Sequence, residues 1–135
     1  MQYITNSENE TKKLAEGLAK KLSGLIALSG ELGAGKTVFV QGFAKGLGIK
    51  EKIISPTFVL IRQHKLPNQK LLYHIDLYRL EGKIDIKRLG IEELFASDNL
   101  VLIEWADKIE KSLPKKTIKI NLKKVTTNER LITVS

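Results

Sequence analysis

Residues 30 to 37 restrict what this chain can fold into more than any other stretch. Gly30-Glu31-Leu32-Gly33-Ala34-Gly35-Lys36-Thr37 follows the apolar run Leu25–Ser29 and leads into Lys36 to Leu47, which reads as a helix closed by Gly48. The order is strand, glycine turn, helix, and the spacing fits G-x-x-x-x-G-K-[ST]. Each part has a chemical reason. Glycines let backbone N–H groups converge on phosphate oxygens where a side chain would obstruct them. The helix that follows adds its positive N-terminal end. A lysine at 36 brings a mobile point charge to the β- and γ-phosphates, and the Thr37 hydroxyl can ligate magnesium. The alternative is a glycine-rich turn with no ligand, but the flanking strand and helix are what phosphate binding requires.

Such a site needs an acidic residue at the end of a neighbouring strand, to hold the metal or its waters. Two stand in the right place: Asp76 ends Leu71–Ile75, and Glu104 ends Leu100–Ile103. Either alone could be merely the first solvated residue after a strand. Ligands in open α/β sheets sit beyond the carboxyl ends of the strands, so a phosphate cradle makes both candidates. Glu104 is the first choice for magnesium and Asp76 for orienting water.

The rest of the sequence supplies a frame. Ser7 and Glu10 have capping-box spacing, Leu14, Leu18 and Leu22 recur every fourth residue, and Gly24 offers a stop. Phe58–Gln63 and Leu71–Asp76 flank Pro67-Asn68, which reads as a hairpin, and Ile84 to Phe95 reads as a helix interrupted by Gly90. Leu100–Glu104 is a buried strand. Ile118, Ile120 and Leu122 alternate with polar residues before Thr126–Asn128 turns into Leu131–Val134, a second hairpin with one wet face. The order β-α-β-α-β-β-α-β-β-β is an α/β fold with a mixed sheet. A chain of 135 residues suggests one domain, residues 1–135.

Composition excludes several classes. There is no cysteine, hence no disulfide scaffold and no thiol nucleophile, and His64 and His74 are the two histidines. Apolar runs such as Leu25–Leu28 and Leu100–Ile103 are only four residues long, far short of the ~20 of a membrane span. The first residues lack the basic-then-apolar build of a signal peptide, so a cytoplasmic location is expected. The net charge of +8 invites a nucleic-acid reading, but only four of the 23 basic residues are arginine, which specific recognition favours. Lys108 to Lys124 holds seven lysines against Glu110, a spacing typical of a solvated face, with a docking surface for a partner or RNA as the other reading.

Further blocks complete a recognisable set. Gly30–Thr37, Ser55-Pro56-Thr57-Phe58, His74-Ile75-Asp76-Leu77-Tyr78-Arg79-Leu80, Leu89-Gly90-Ile91-Glu92-Glu93 and Ile103-Glu104-Trp105 come in this order over most of the chain. The set resembles the bacterial TsaE (YjeE) family, small ATPases of tRNA threonylcarbamoyladenosine synthesis. The resemblance implies a P-loop NTPase-like three-layer sandwich with a mixed, mostly parallel sheet and a C-terminal β-hairpin, binding ATP or ADP with Mg²⁺. It implies that Leu32, Gly33, Ala34, Gly35, Lys36 and Thr37 bind the phosphates, that Thr37 and Glu104 meet the metal, and that Asp76 lies in the nucleotide site. Lys36, Asp76 and Glu104 are then the catalytic set. Glu8 and Thr11 match the segment near base and sugar, and Arg130 matches a C-terminal arginine near the nucleotide. Ser55 to Phe58, with Ser55 and Thr57, looks like the family's switch loop, and Trp105 lies beside the metal site. The implied partners are TsaB and TsaD, with tRNA reached indirectly, and ATP hydrolysis resetting that complex between turnovers.

No arginine lies in or immediately beside the cradle along the chain, so the isolated site is expected to be slow and completed by a partner. His74, two residues before Asp76, is read as a general base or a packed structural histidine. Arg79 pairs with Glu92 or Glu93, binds a partner or senses nucleotide; Trp105 belongs to the core or to a partner contact. Two other functions fit the motif: a small-molecule kinase on the same loop, and a nucleotide-dependent binding module without significant turnover. Arginine clusters and length for a lid, which the kinase needs, are missing from the sequence.

Overall fold

The computed structural model describes residues 1–31, 33–50, 61–77, 92–95 and 98–135, with Lys108 described by its backbone alone. Seven strands form one sheet among these residues: β1 (Gln2–Thr5), β2 (Leu25–Gly30), β3 (Ile61–Lys65), β4 (Leu71–Asp76), β5 (Leu100–Glu104), β6 (Ile118–Lys124) and β7 (Arg130–Val134). The spatial order is β1-β7-β6-β2-β5-β4-β3. The central four, β6, β2, β5 and β4, run parallel. β3 closes one edge antiparallel, and β7 and β1 close the other. The sheet is mixed and the fold is α/β, as expected.

Leu25 to Leu28 are all buried because the central strands are covered on both faces. Ile26 and Leu28 point into one cluster with Leu72, Leu102, Ile120 and Leu122, under α1 (Glu8–Ala19) and α2 (Lys36–Gly46). Leu25 and Ala27 point into the other, with Ile75, Val101, Ile103 and Phe95. That second face is covered by α3 (Glu92–Phe95) and the 3-10 helix Ala106–Ser112.

The helix signals hold with one change of boundary. Ser7 Oγ accepts from the Glu10 N–H at 3.1 Å, and the Glu10 carboxylate in turn accepts from the Asn6 N–H. α1 ends at Ala19 rather than running to Gly24, because the N–H groups of Lys21 and Leu22 both converge on the Leu18 carbonyl and tighten the last turn. α2 closes as read: the Gly48 N–H bonds to Lys45 O and the Ile49 N–H to Ala44 O. α1 lies against α2 in the same direction, Lys12 beside Gly42 and Glu16 beside Gly46. A Cβ at Gly42 would run into the Lys12 backbone, and one at Gly46 would lie 2.5 Å from Glu16 O, so these glycines set how near the helices approach.

Both hairpins are present. β3 runs to Lys65, two residues beyond Gln63, before the turn at Leu66 to Lys70. In β6, Ile120 and Leu122 are buried while Lys119, Asn121 and Lys123 face solvent, the alternation expected of a strand with one wet face. Of the helix read over Ile84 to Phe95, Glu92–Phe95 is helical and the rest lies outside the described residues.

Candidate functional site

Topology brings the chemistry to one end of the sheet. β2, β4 and β5 are parallel, so their carboxyl ends lie together; Glu104 is the register partner of Asp76 on one side and of Leu28 on the other. The glycine turn leaves the end of β2 at this place and returns as α2. Gly35 is the N-cap of α2 at φ +98°, a conformation that L side chains rarely adopt, and no side chain caps the helix. The first-turn N–H groups of α2 therefore begin beside the strand ends.

Lys36, the first residue of α2, is only 6% exposed. Its ammonium donates to the carbonyls of Gly30 and of Glu31, the latter at 2.9 Å. It also sits 3.9 Å from the centroid of the Trp105 ring. Burial pushes the Lys36 pKa below its ordinary 10.5, against the opposing pull of Glu104, Asp107, Asp76 and Glu31. A desolvated ammonium whose hydrogen-bond partners are neutral carbonyls is suited to an incoming polyanion.

Trp105 reaches that position through strained backbone. It follows Glu104 directly and has φ +60°, uncommon for a bulky residue. The turn ends β5, starts the 3-10 helix and lays the indole over Lys36. The sequence readings of Trp105 as core or partner contact missed this role as a cover for the lysine. Ile103-Glu104-Trp105 contains no turn residue that would signal it.

Glu104 is 3% exposed and His74 fully buried. His74 Nε2 lies 2.5 Å from Glu104 Oε2. Asp76 is half-buried at the strand end, and Thr37 is exposed on the first turn of α2. Thr37 and Glu104 offer the hard oxygen donors that magnesium prefers. No cluster of three or more His, Asp or Glu side chains suited to a metal occurs among the described residues. This set fits an ion that keeps waters and shares phosphate oxygens, rather than one caged by protein.

Arg130, remote from the cradle along the chain, stands beside it in the fold. β7 delivers it across the sheet, where Nε donates to Ala34 O at 3.1 Å and Nη2 to Gly33 O at 3.3 Å. Nη1 donates to the carbonyls of Thr126, Thr127 and Glu129 in the β6–β7 turn. The guanidinium thus ties that turn to the glycine loop. Chain order hides this, since 96 residues separate Arg130 from Ala34.

Glu8 and Thr11 occupy the first turn of α1, which lies at the same end as the start of α2 because the two helices run in one direction. Glu8 is exposed; Thr11 is buried, its hydroxyl 2.7 Å from that of Thr5. Leu32, Ser55, Thr57, Tyr78 and Arg79 lie outside the described residues, as does any pairing of Arg79 with Glu92 or Glu93.

The family model for "Threonylcarbamoyl adenosine biosynthesis protein TsaE" matches residues 5–132. The chain belongs to the TsaE family. Its relatives include the Bacillus subtilis tRNA threonylcarbamoyladenosine biosynthesis protein TsaE, 40% identical over 98% of this chain and 84% of that protein. The protein of the same name from Rickettsia bellii is 42% identical over 99% of this chain and 94% of its own length. That from Treponema pallidum is 35% identical over the full length of both. The crystal structure of Bacillus subtilis YdiB superposes with a TM-score of 0.81 at 34% identity, covering 99% of this chain and 83% of that one. The family takes part in tRNA threonylcarbamoyladenosine biosynthesis. Among the described residues, no helix is long and apolar enough to cross a membrane.

Proposed function

We propose that the chain is a P-loop ATPase that binds Mg-ATP, hydrolyses it weakly alone, and acts with the TsaB–TsaD transferase complex to reset it between turnovers of tRNA modification. The observation that carries this reading is the buried Lys36 at the head of α2, with Glu104 and Asp76 side by side at the ends of β5 and β4. Backbone N–H groups of residues 32 to 37 would cradle the phosphates, and Lys36 would leave its loop carbonyls for the β- and γ-phosphates. Thr37 and Glu104 would hold Mg²⁺, which when bound neutralises charge on the transferring phosphoryl group. Asp76 would orient water. Glu8 and Thr11 would approach base and sugar, and Ser55 and Thr57 would sense the nucleotide.

Among the described residues, the direction in which Arg130 points supports weak turnover alone. Arg130 spends its donors on carbonyls of the glycine loop and the β6–β7 turn, so it braces the loop rather than reaching across it. Its place near the nucleotide would be behind the cradle. A charge-stabilising group over the phosphoryl would then come from the partner, and such groups are worth about 10³–10⁵ in rate. The test is phosphate release by the purified chain with and without TsaB and TsaD, together with their nucleotide-dependent co-purification. Slow release stimulated by the partners is expected. Rapid release indifferent to them, or no nucleotide-dependent complex, would overturn the partner reading; no heat on titration with Mg-ATP would overturn the site itself.

A further inference from the structure

We propose that His74 is a positioning residue for Glu104, holding the carboxylate by one oxygen so that the other stays directed to the cation side of the loop. The inference rests on the reading of Glu104 as a metal-side carboxylate. Register carries the first part of the argument. His74 is paired with Leu102 and Asp76 with Glu104, so all four side chains share the sheet face that packs under α1 and α2. His74 is fully buried, and its apolar neighbours Leu72 and Leu102 are too.

The chemistry of the contact fixes the donor. A carboxylate oxygen only accepts, so the 2.5 Å contact is an Nε2–H donating to Oε2. Nδ1 has no hydrogen-bond partner among the described residues. A hydrogen on Nδ1 would be a buried donor with nothing to receive it, which places the ring's hydrogen on Nε2. An apolar side chain would fill this space without burying an unpartnered nitrogen. The bond to Glu104 is what the imidazole adds.

The neighbouring lysine shows what that bond prevents. Glu104 is the largest of the charges that draw on Lys36, and both groups are almost wholly buried. Buried charges of opposite sign are ordinarily found paired. Instead Lys36 turns to Gly30 O and Glu31 O, and Glu104 turns to His74. By anchoring Oε2, His74 keeps the carboxylate off the ammonium, so the lysine stays available to phosphate and Oε1 to the cation or its water. Partners behind a metal-side carboxylate typically change metal affinity by about 10–100-fold when removed.

The experiment measures nucleotide binding, by Trp105 fluorescence or calorimetry, as magnesium is titrated. His74→Asn keeps a polar side chain too short to reach Glu104; His74→Gln puts an amide N–H where Nε2–H stood. The magnesium midpoint of His74→Asn should rise about tenfold or more. His74→Gln should stay within about threefold of the wild type, and ATP affinity in EDTA should be the same in all three. A wild-type midpoint in His74→Asn, or equal losses in both variants, overturns the proposal. Glu104→Gln separates the two readings. If it raises the midpoint and His74→Asn does not, the histidine proposal alone falls; if Glu104→Gln leaves the midpoint unchanged, the metal reading falls and takes this one with it. Should His74→Asn not fold, ¹⁵N spectra of the wild-type imidazoles still decide: an Nε2–H tautomer at His74 is expected, and an Nδ1–H tautomer overturns the assignment.

Discussion

Lys36 and Lys119 carry the same ammonium in opposite settings. Lys36 is 6% exposed, bonded to loop carbonyls and covered by an indole. Lys119 has a half-exposed side chain on the open face of β6, 3.2 Å from a Glu110 that is itself mostly in water. The lysine-rich stretch around Lys119 holds most of the net charge, yet its described lysines, Lys111, Lys115, Lys116, Lys119, Lys123 and Lys124, are exposed and screened by solvent. Lys36 adds one charge to the total, but there the dielectric is low and the donors are aimed. On the proposed function, position in the fold rather than the sum of charges decides which basic residue meets the phosphates.

The comparison breaks most easily at Lys36. Lys36→Met keeps the volume and the contact with Trp105 but removes the donors. It should weaken Mg-ATP binding by about hundredfold or more, since charge-assisted bonds to phosphate contribute roughly 1.5–3 kcal/mol each. Calorimetry on the folded variant checks this, and a loss under threefold would mean that the ammonium does not meet phosphate.

Next in size is the effect of Glu104→Ala on stability. The substitution leaves the His74 Nε2–H buried without an acceptor, which costs about 1–3 kcal/mol. A urea midpoint lowered to match is expected; an unchanged one would mean that solvent reaches the histidine. Glu110→Ala, which cuts the exposed pair with Lys119, should lose far less.

How legible was this site beforehand? The glycine turn, the lysine, the threonine and the two strand-end carboxylates are local signals, each fixed by a neighbour a few residues away, and the structure places those it describes at one end of the sheet. The two hairpins and both helix caps are local too. What the sequence hid is non-local. Arg130 meets Gly33 and Ala34 because β7 lies at one flank of the sheet, and no spacing rule links residues so far apart. The His74–Glu104 bond depends on β4 and β5 being neighbours in a register that pattern alone leaves open. Trp105 covers Lys36 through a positive φ at a residue type that gives no warning of it. The early end of α1 belongs to the same class, set by how its last N–H groups share one carbonyl.

A pH series sharpens the contrast through the buried lysine. Because burial lowers the Lys36 pKa in the folded chain, that chain binds fewer protons than the unfolded one between the lowered value and 10.5. Stability attributable to this residue therefore rises as pH climbs through that window. The wild type should gain on Lys36→Met over the alkaline range, read from urea midpoints at successive pH values. A difference that stays flat with pH would show that the ammonium is as well solvated folded as unfolded.

The smallest effects belong to the open face of β6. Lys119 and Lys123 line a cleft of about 490 Å³ whose other wall includes Trp105, Asp107 and Glu110. The cleft touches Gly30 and Glu31, so it abuts the loop, but neither Asp76 nor Glu104 lines it. An exposed pair such as Lys119–Glu110 is worth about 0–1 kcal/mol. Lys119→Ala and Lys123→Ala should each shift stability by no more than about 0.5 kcal/mol and leave Mg-ATP affinity within twofold, with what little effect there is vanishing in high salt. If either weakened Mg-ATP binding tenfold, long-range charge would be steering the nucleotide. The division drawn between a buried lysine that acts and a surface that is merely solvated would then have to be given up.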